Sequence, residues 1–398
     1  MIARKNLLKK YLLSAVITSI AMTSVAQAAP KSISIKPLKV FSQSSSAEAI
    51  VANSKALFTY ENIVGLSADI KVRAFDFTGV EIWSKTVDSG LDDLATAMAV
   101  DSQGTLWLVG NIAIAPQPET ATAATGALNP DAIEVENIQP LRPDMKNISV
   151  WQISATGEII SQNSFETVAL IDAVSVSSSG LSILASRDNE AFLITLSQGK
   201  FSKELKIGSS KTKLSAITRS GDGTSYLFGS SSETLGGKKL VGRTDGILIK
   251  ISKTGSVTSV VRSSAPKAIR DWQSTTGSLF VTGSVRSGTT VESAITKFNS
   301  SFIPTWTTRI SSTGKTLASS GASGSFYAIL EPTSAIKGVT GFKAVKGQSV
   351  VLQFDSKGLL ISAFTSAEMT STIASTYSNT AGLFLLTVDG KILQVSNN

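Results

Sequence analysis

Asp92 and Asp93 stand side by side in the stretch SGLDDLAT, Asp172 enters a comparable stretch, LIDAVSV, and Arg270-Asp271-Trp272 place a cation, a carboxylate and an aromatic ring in one run. Two carboxyl groups held about 5 to 9 Å apart can serve as acid and base in glycoside hydrolysis, and a ring such as Trp272 can stack on a sugar. Glu134 and Glu136 lie in an acidic segment that could meet a cation or a basic partner. A structural reading stands beside each of these: Asp92 and Asp93 as solvated turn residues, Asp271 paired with a neighbouring Arg or Lys. Other chemistries are closed to the chain, which has no histidine and no cysteine. That removes imidazole bases, thiol nucleophiles, Ser-His-Asp and Cys-His catalysis, and the usual zinc ligands.

Short glycine turns invite a metal or phosphate reading and do not sustain it. DSQG (101–104) and SGDG (220–223) carry one carboxylate each, where a calcium loop needs six or more oxygens from alternating acidic residues. TLGGKK (234–239) lacks the spacing and the strand-then-helix setting of a phosphate loop. No metal and no cofactor is expected.

The elements that must position these groups repeat along the chain. KVRAFDFTGVEIWSKT (71–86) is a strand, a glycine turn and a strand, and ATAMAVDSQGTLWLVGN (95–111) is a second such pair. The same order recurs from ISVWQISATGEIISQNSF (148–165) with LIDAVSVSSSGLSILAS (170–186) to SVVLQFDSKGLLISAF (349–364) with its successor (371–388). Glycines mark the first turn at Gly79, Gly157, Gly199, Gly255 and Gly358, and the second at Gly104, Gly180, Gly223, Gly277 and Gly324. Tight hairpins favour glycine because it tolerates positive φ.

Taking the AMAVD type as innermost, inner strands begin near residues 47, 95, 170, 213, 268, 315 and 371. The expected fold is therefore an all-β, seven-bladed β-propeller of four-stranded antiparallel blades. The last unit lacks a fourth strand, and SISIKPLKV (32–40) is expected to supply it by pairing with the C-terminal blade, leaving no open edge. A string of three β-sandwiches would need linkers about every 100 residues, and none is visible.

The stretch AFDFTGVEIWSKTVDSGLDDLATAMAVDSQGTLWLVGN (74–111) resembles the bacterial β-propeller repeat of many exported proteins and, more distantly, NHL-type blades. Later copies keep the turn glycines and lose much else; SSFIPTW has no glycine in its turn. The resemblance implies a propeller and export, and no activity.

Residues 1–28 read as a signal peptide: Arg4, Lys5, Lys9 and Lys10, an apolar run from Tyr11 to Val25, then Ala26-Gln27-Ala28, with cleavage expected after Ala28. They hold four of the 37 basic residues and none of the 29 acidic ones, so the remainder is near +4, which argues against nucleic acid. Residues 29–398 then form one propeller domain with a Pro-, Ala- and Thr-rich acidic insertion at 113–146. Long connections follow the LWLVG type of strand on one face, where binding usually resides. The expected function is an exported, monomeric, non-catalytic propeller that binds a protein or glycan through that face. Its rival is a carboxylate-dependent polysaccharide hydrolase or lyase, and a third possibility is an envelope component.

Overall fold

The computed structural model describes residues 32–43, 46–114 and 144–397. Residues 1–28, expected to be a signal peptide, and most of the acidic insertion, with Glu134 and Glu136, lie outside the described residues.

The repeat is built from side chains that close its turns. In DFTG the Asp76 carboxylate accepts from Thr78 N at 2.8 Å and Val80 N at 3.0 Å. Asp101 does the same for Gln103 and Thr105, and Asp355 for Lys357 and Leu359. These carboxylates fold the backbone locally. The turn without glycine obeys the same rule: Asn299 accepts from Ser301 N and Ile303 N, both at 3.0 Å. There Phe302 adopts φ 60° in place of glycine. Its ring, buried edge-on to Tyr226 and Phe228 at 5.8 and 6.2 Å, offsets the backbone strain.

Successive strands form antiparallel sheets whose faces pack on one another around a central channel. Five discrete blades are present among the described residues. The first runs Ala49–Ala52, Leu57–Val64, Ala68–Phe75, Glu81–Val87, and the second Asp93–Val100, Leu106–Ile112, Asn147–Ile153, Ile159–Glu166. The third starts with Leu170–Ser177, Gly180–Arg187 and Glu190–Ser197, and Lys200–Phe201 and Leu205–Gly208 both pair with the last of these. The fourth runs Thr212–Arg219, Ser225–Ser231, Asp245–Ile251, Val257–Ser263. The fifth joins Thr372–Ser378, Gly382–Thr387 and Lys391–Val395 to Lys39–Gln43.

The expectation of seven separate four-stranded blades is overturned by what lies between the fourth and fifth blades, a single nine-stranded sheet. Its fourth strand, Pro304–Ser320, pairs with Thr290–Phe298 through Ser311 and with Phe326–Pro332 from Ser312 onward. The repeat placed a blade boundary here. The chain instead passes from one sheet direction to the next within one strand, through a register shift between Ser312 and Thr316 and a left-handed Gly314 at φ 104°. The N-terminal segment also divides. Lys39–Gln43 pairs antiparallel with Lys391–Val395, but Ile33–Pro37 lies parallel to Leu360–Thr365 and Val339–Thr340 at the edge of the nine-stranded sheet. Ile33 and Ile35 alternate onto that sheet's apolar cluster, which explains the detour.

Apolar clusters bridge each sheet to the next and return to the start. Phe58, Ile70 and Val72 of the first blade meet Leu106, Leu108 and Trp151 of the second. At the closure, Phe384, Leu386 and Ile392 of the fifth blade meet Ile50 and Leu57 of the first. Trp83 and Trp306, on outer strands, each lie over a turn glycine of the following sheet segment, Gly157 and Gly358, and donate from Nε1 to the carbonyls of Ala155 and Ser356 at 2.9 and 3.2 Å. A Cβ at Gly157 or Gly358 would come within 2.8 or 2.5 Å of the indole.

Phe384 is fully buried, stacked on Phe77 at 5.7 Å and edge-on to Phe41 at 5.0 Å, so one ring joins the first blade's turn, the fifth blade and the N-terminal strand. Phe384→Ala is expected to cost about 3–5 kcal/mol, measured as a lowered urea midpoint for the whole chain; an unchanged midpoint would mean that closure does not stabilise the ring.

Candidate functional site: the channel mouth

Five of the inner strands carry an irregularity near their beginning. The register slips by one residue at Thr96, Asp172, Ser215, Gln273 and Ile373. Such a bulge re-aims the extra side chain. The neighbouring strand makes room for it: a Cβ at Gly110, Gly229 or Gly283 would lie 1.9–2.0 Å from the carbonyl oxygen of Leu94, Lys213 or Asp271. The glycine in LWLVG, YLFG and VTG is therefore a mark of the bulge on its partner.

Three of the bulged residues, Asp172, Ser215 and Gln273, line one cavity of about 350 Å3 together with Lys213, Lys315 and Thr316. All lie at the beginning of inner strands, the end at which second-to-third strand connections and links between sheets also emerge. Lys213 and Lys315 are exposed, and neither is in an ion pair among the described residues. Asp172 is reached by solvent from the cavity yet crowded by protein on its other sides. That crowding pushes its carboxyl up to about 6, against the Ser186 hydroxyl and the Lys213 charge, which pull it down. Burial likewise raises Asp271, opposed first by Lys213. One lysine thus acts on the carboxylates of the inner strands on either side of its own.

Much of the remaining polarity around the channel is structural. The inward edges of inner strands have backbone donors with no strand partner, and side chains of the preceding inner strand accept from them. Thr376 takes Ala52 N, Ser175 takes Arg219 N, Gln273 takes Thr316 N and Ser274 takes Ala318 N, at 2.9 to 3.0 Å. A cleft of about 330 Å3 between the third and fourth blades, at the opposite end, is of the same kind. Its Arg219 is held by the hydroxyls of Ser179 and Ser182 at 2.9 and 3.0 Å.

The other residues singled out in the sequence divide. Asp92 and Asp93 are buried, contrary to the solvated-turn reading: Asp92 accepts from Ala68 N at 2.8 Å and Asp93 from Ser89 N at 2.6 Å. Trp272 is 1% exposed, edge-on to Phe298 at 5.6 Å and against Gly246, so its ring faces the neighbouring blade and offers no face to a sugar. Arg270 turns away from the channel as well, hydrogen-bonding Ser263 and lying 5.5 Å from the Trp272 ring. Burial, followed by the charge of Arg309, lowers its guanidinium to about 10. Asp271 is half-buried, its Oδ1 covered, and is not among the residues lining the cavity, so no member of the run Arg270-Asp271-Trp272 lines the mouth. Lys213, Ser215, Gln273 and Lys315 were not singled out; the glycines opposite the bulges were the available signal for Ser215 and Gln273.

No protein family and no curated protein matches the sequence. Solved structures match along most of the chain. A streptogramin B lyase is 10% identical, with TM-score 0.51, over 90% of this chain and 97% of that one. The Dos1 propeller is 12% identical, with TM-score 0.50, over 92% and 96%. The WD40 domain of coronin from Toxoplasma gondii is 12% identical, with TM-score 0.50, over 92% and 87%. At these identities the likeness shows the β-propeller fold alone.

The carboxyl at the mouth gives a pH signature. Because Asp172 holds its proton more tightly when folded than the ~3.9 of a free aspartate, the native state binds the extra proton between about pH 4 and 6. Asp172 should therefore lower stability as pH rises through that window. Carboxyl NMR should place its midpoint near 6, and Asp172→Asn should flatten the fall; a midpoint near 4 would contradict the crowded setting.

Proposed function

We propose that this chain is an exported, non-catalytic β-propeller that binds a protein or glycan at the channel mouth and the loops around it. The observation that carries the reading is the mouth itself: Asp172, Lys213 and Lys315 stand exposed around a cavity of about 350 Å3, the lower end of the size that holds a small ligand or a single protruding group. Ser215 and Gln273 complete the wall, the Gln273 amide fixed by Thr316 N and Ser284 Oγ, which leaves the three charged groups to meet a ligand. Loops at the same end add apolar area. The tip between the second and third strands of the first blade exposes Val64 at 82% and leaves Leu66 fully open, the kind of surface used in protein contacts. Export follows from the N-terminal segment, whose basic start, apolar run and Ala26-Gln27-Ala28 fit a cleaved signal. Among the described residues there is no helix long and apolar enough to cross a membrane.

One observation favours the second reading, a polysaccharide hydrolase or lyase: a carboxyl at about 6 is poised to give or take a proton near neutral pH. Against it, Asp92 and Asp93 are buried away from the mouth, and Asp271 shares its lysine with Asp172.

A glycan array probed together with extracellular protein fractions tests both readings. Binding that falls at least tenfold in Lys213→Ala and Lys315→Ala, with no change in the bound polymer, is expected. Turnover of a polysaccharide that is abolished by Asp172→Asn or Asp271→Asn would replace the binding reading with the enzymatic one.

A further inference from the structure

Away from the channel, Asp69, Asp88 and Asp93 bring one carboxylate oxygen each to within 4.8 Å of the others. Asp69 begins the third strand of the first blade, Asp88 lies in the link to the second blade, and Asp93 opens that blade's inner strand. The cluster therefore joins two blades at the end where the loops emerge. A crowd of exposed carboxylates would mean little, but Asp93 is 0% exposed. One of its oxygens accepts from Ser89 N; the other, Oδ1, has no hydrogen-bond partner among the described residues. A buried carboxylate oxygen without a donor is costly, and two further negative charges beside it add repulsion. Folding has nevertheless put all three there.

Other partners in the cluster do not relieve this. Asp88 accepts from Gly90 N at 2.7 Å and Asp69 from Ser67 Oγ at 3.4 Å; neither bond brings a positive charge. No Lys or Arg forms an ion pair with any of the three among the described residues. Oxygen-only donors select a hard cation over zinc or copper. Three carboxylates on a strand start and an irregular link suit the adaptable shell of calcium better than the strict octahedron of magnesium, with water completing the six to eight oxygens.

We propose that Asp69, Asp88 and Asp93 bind a calcium ion that ties the first blade to the second. The inference is independent of the binding reading of the channel mouth. The ion would fix the link Asp88–Asp93, and so the neighbouring Asp92, whose carbonyl accepts from Ala113 N at 2.9 Å where the long acidic connection departs. Calcium would thereby order the root of that connection. With few protein ligands the affinity should be weak, about 10⁻⁴–10⁻³ M.

The test uses the full chain stripped with chelator, titrated calorimetrically with calcium chloride, with magnesium chloride as control, and melted with and without saturating calcium. A one-site isotherm for calcium, a rise of several degrees in Tm, and loss of both in Asp93→Asn are expected. Asp88→Asn, at an exposed position that should not affect folding, should weaken binding at least tenfold. The two conditions should also invert the order of stability. Without calcium, Asp93→Asn should equal or exceed the parent chain, since it removes a repelled buried charge; with calcium it should melt lower. Absence of a calcium isotherm and of any Tm shift in the parent chain would overturn the proposal and leave Asp93 as a protonated acid held by its neighbours. Equal binding in Asp88→Asn and the parent chain would also overturn it.

Discussion

Face-to-face burial between successive sheets is the constraint on which everything else rests, because no sheet here buries its second face without the next one. Trp151, Phe192, Phe228 and Phe384, each fully buried, sit in the second to fifth blades, and Phe280 and Phe354 in the two halves of the nine-stranded sheet. The ring of contacts is complete only because the chain's two ends meet, Lys39–Gln43 on Lys391–Val395, with Phe384 packed against both Phe41 and Phe77. Without that pairing the strand Lys391–Val395 would be a free edge, open to pairing with another chain.

From this ring follow the properties of the channel. Inner strands converge on the axis, so their inward edges have no strand to pair with, and side chains of the preceding strand must cap their donors. Thr376, Ser175, Gln273 and Ser274 do this at nearly the same distance in different sheets. A bulge at the start of an inner strand re-aims one side chain: Gln273 still accepts from Thr316 N, whereas Asp172 reaches solvent. Asp172 is the bulged residue that carries a charge, with Lys213 on the next inner strand and Lys315 lining the same cavity. A rigid scaffold thus offers a small charged mouth ringed by variable loops, an arrangement suited to recognition.

The legible parts of the sequence were those set by local chemistry. Turn glycines and their Asp or Ser partners mark the hairpins, and the antiparallel order of strands follows from them. The continuous strand Pro304–Ser320 was not legible, because whether a chain breaks or bends between sheets depends on how Gly314 and the register shift fit the neighbouring strands. Nor was the division at Leu38, where alternating Ile33 and Ile35 follow an apolar cluster formed by residues some 300 positions away. At the site, Asp172 and Asp271 stood out as carboxylates at strand starts; Asp172 lines the mouth, whereas Asp271 is half-buried and does not line it. Trp272 misled because an aromatic near the expected channel can face either axis or neighbour, and only the bulge at Gln273 decides which. Asp92 and Asp93 misled in the other direction: polar residues in a link look solvated until the sheets close over them.

Hydrogen exchange on the protein with and without its captured ligand addresses the central claim, that the loop-bearing mouth is the recognition surface. New amide protection confined to residues 170–175, 212–216, 271–274 and 315–317 is the predicted result. Protection at the opposite end, around the turns at 221–224 and 252–256, with none at the mouth, would contradict it.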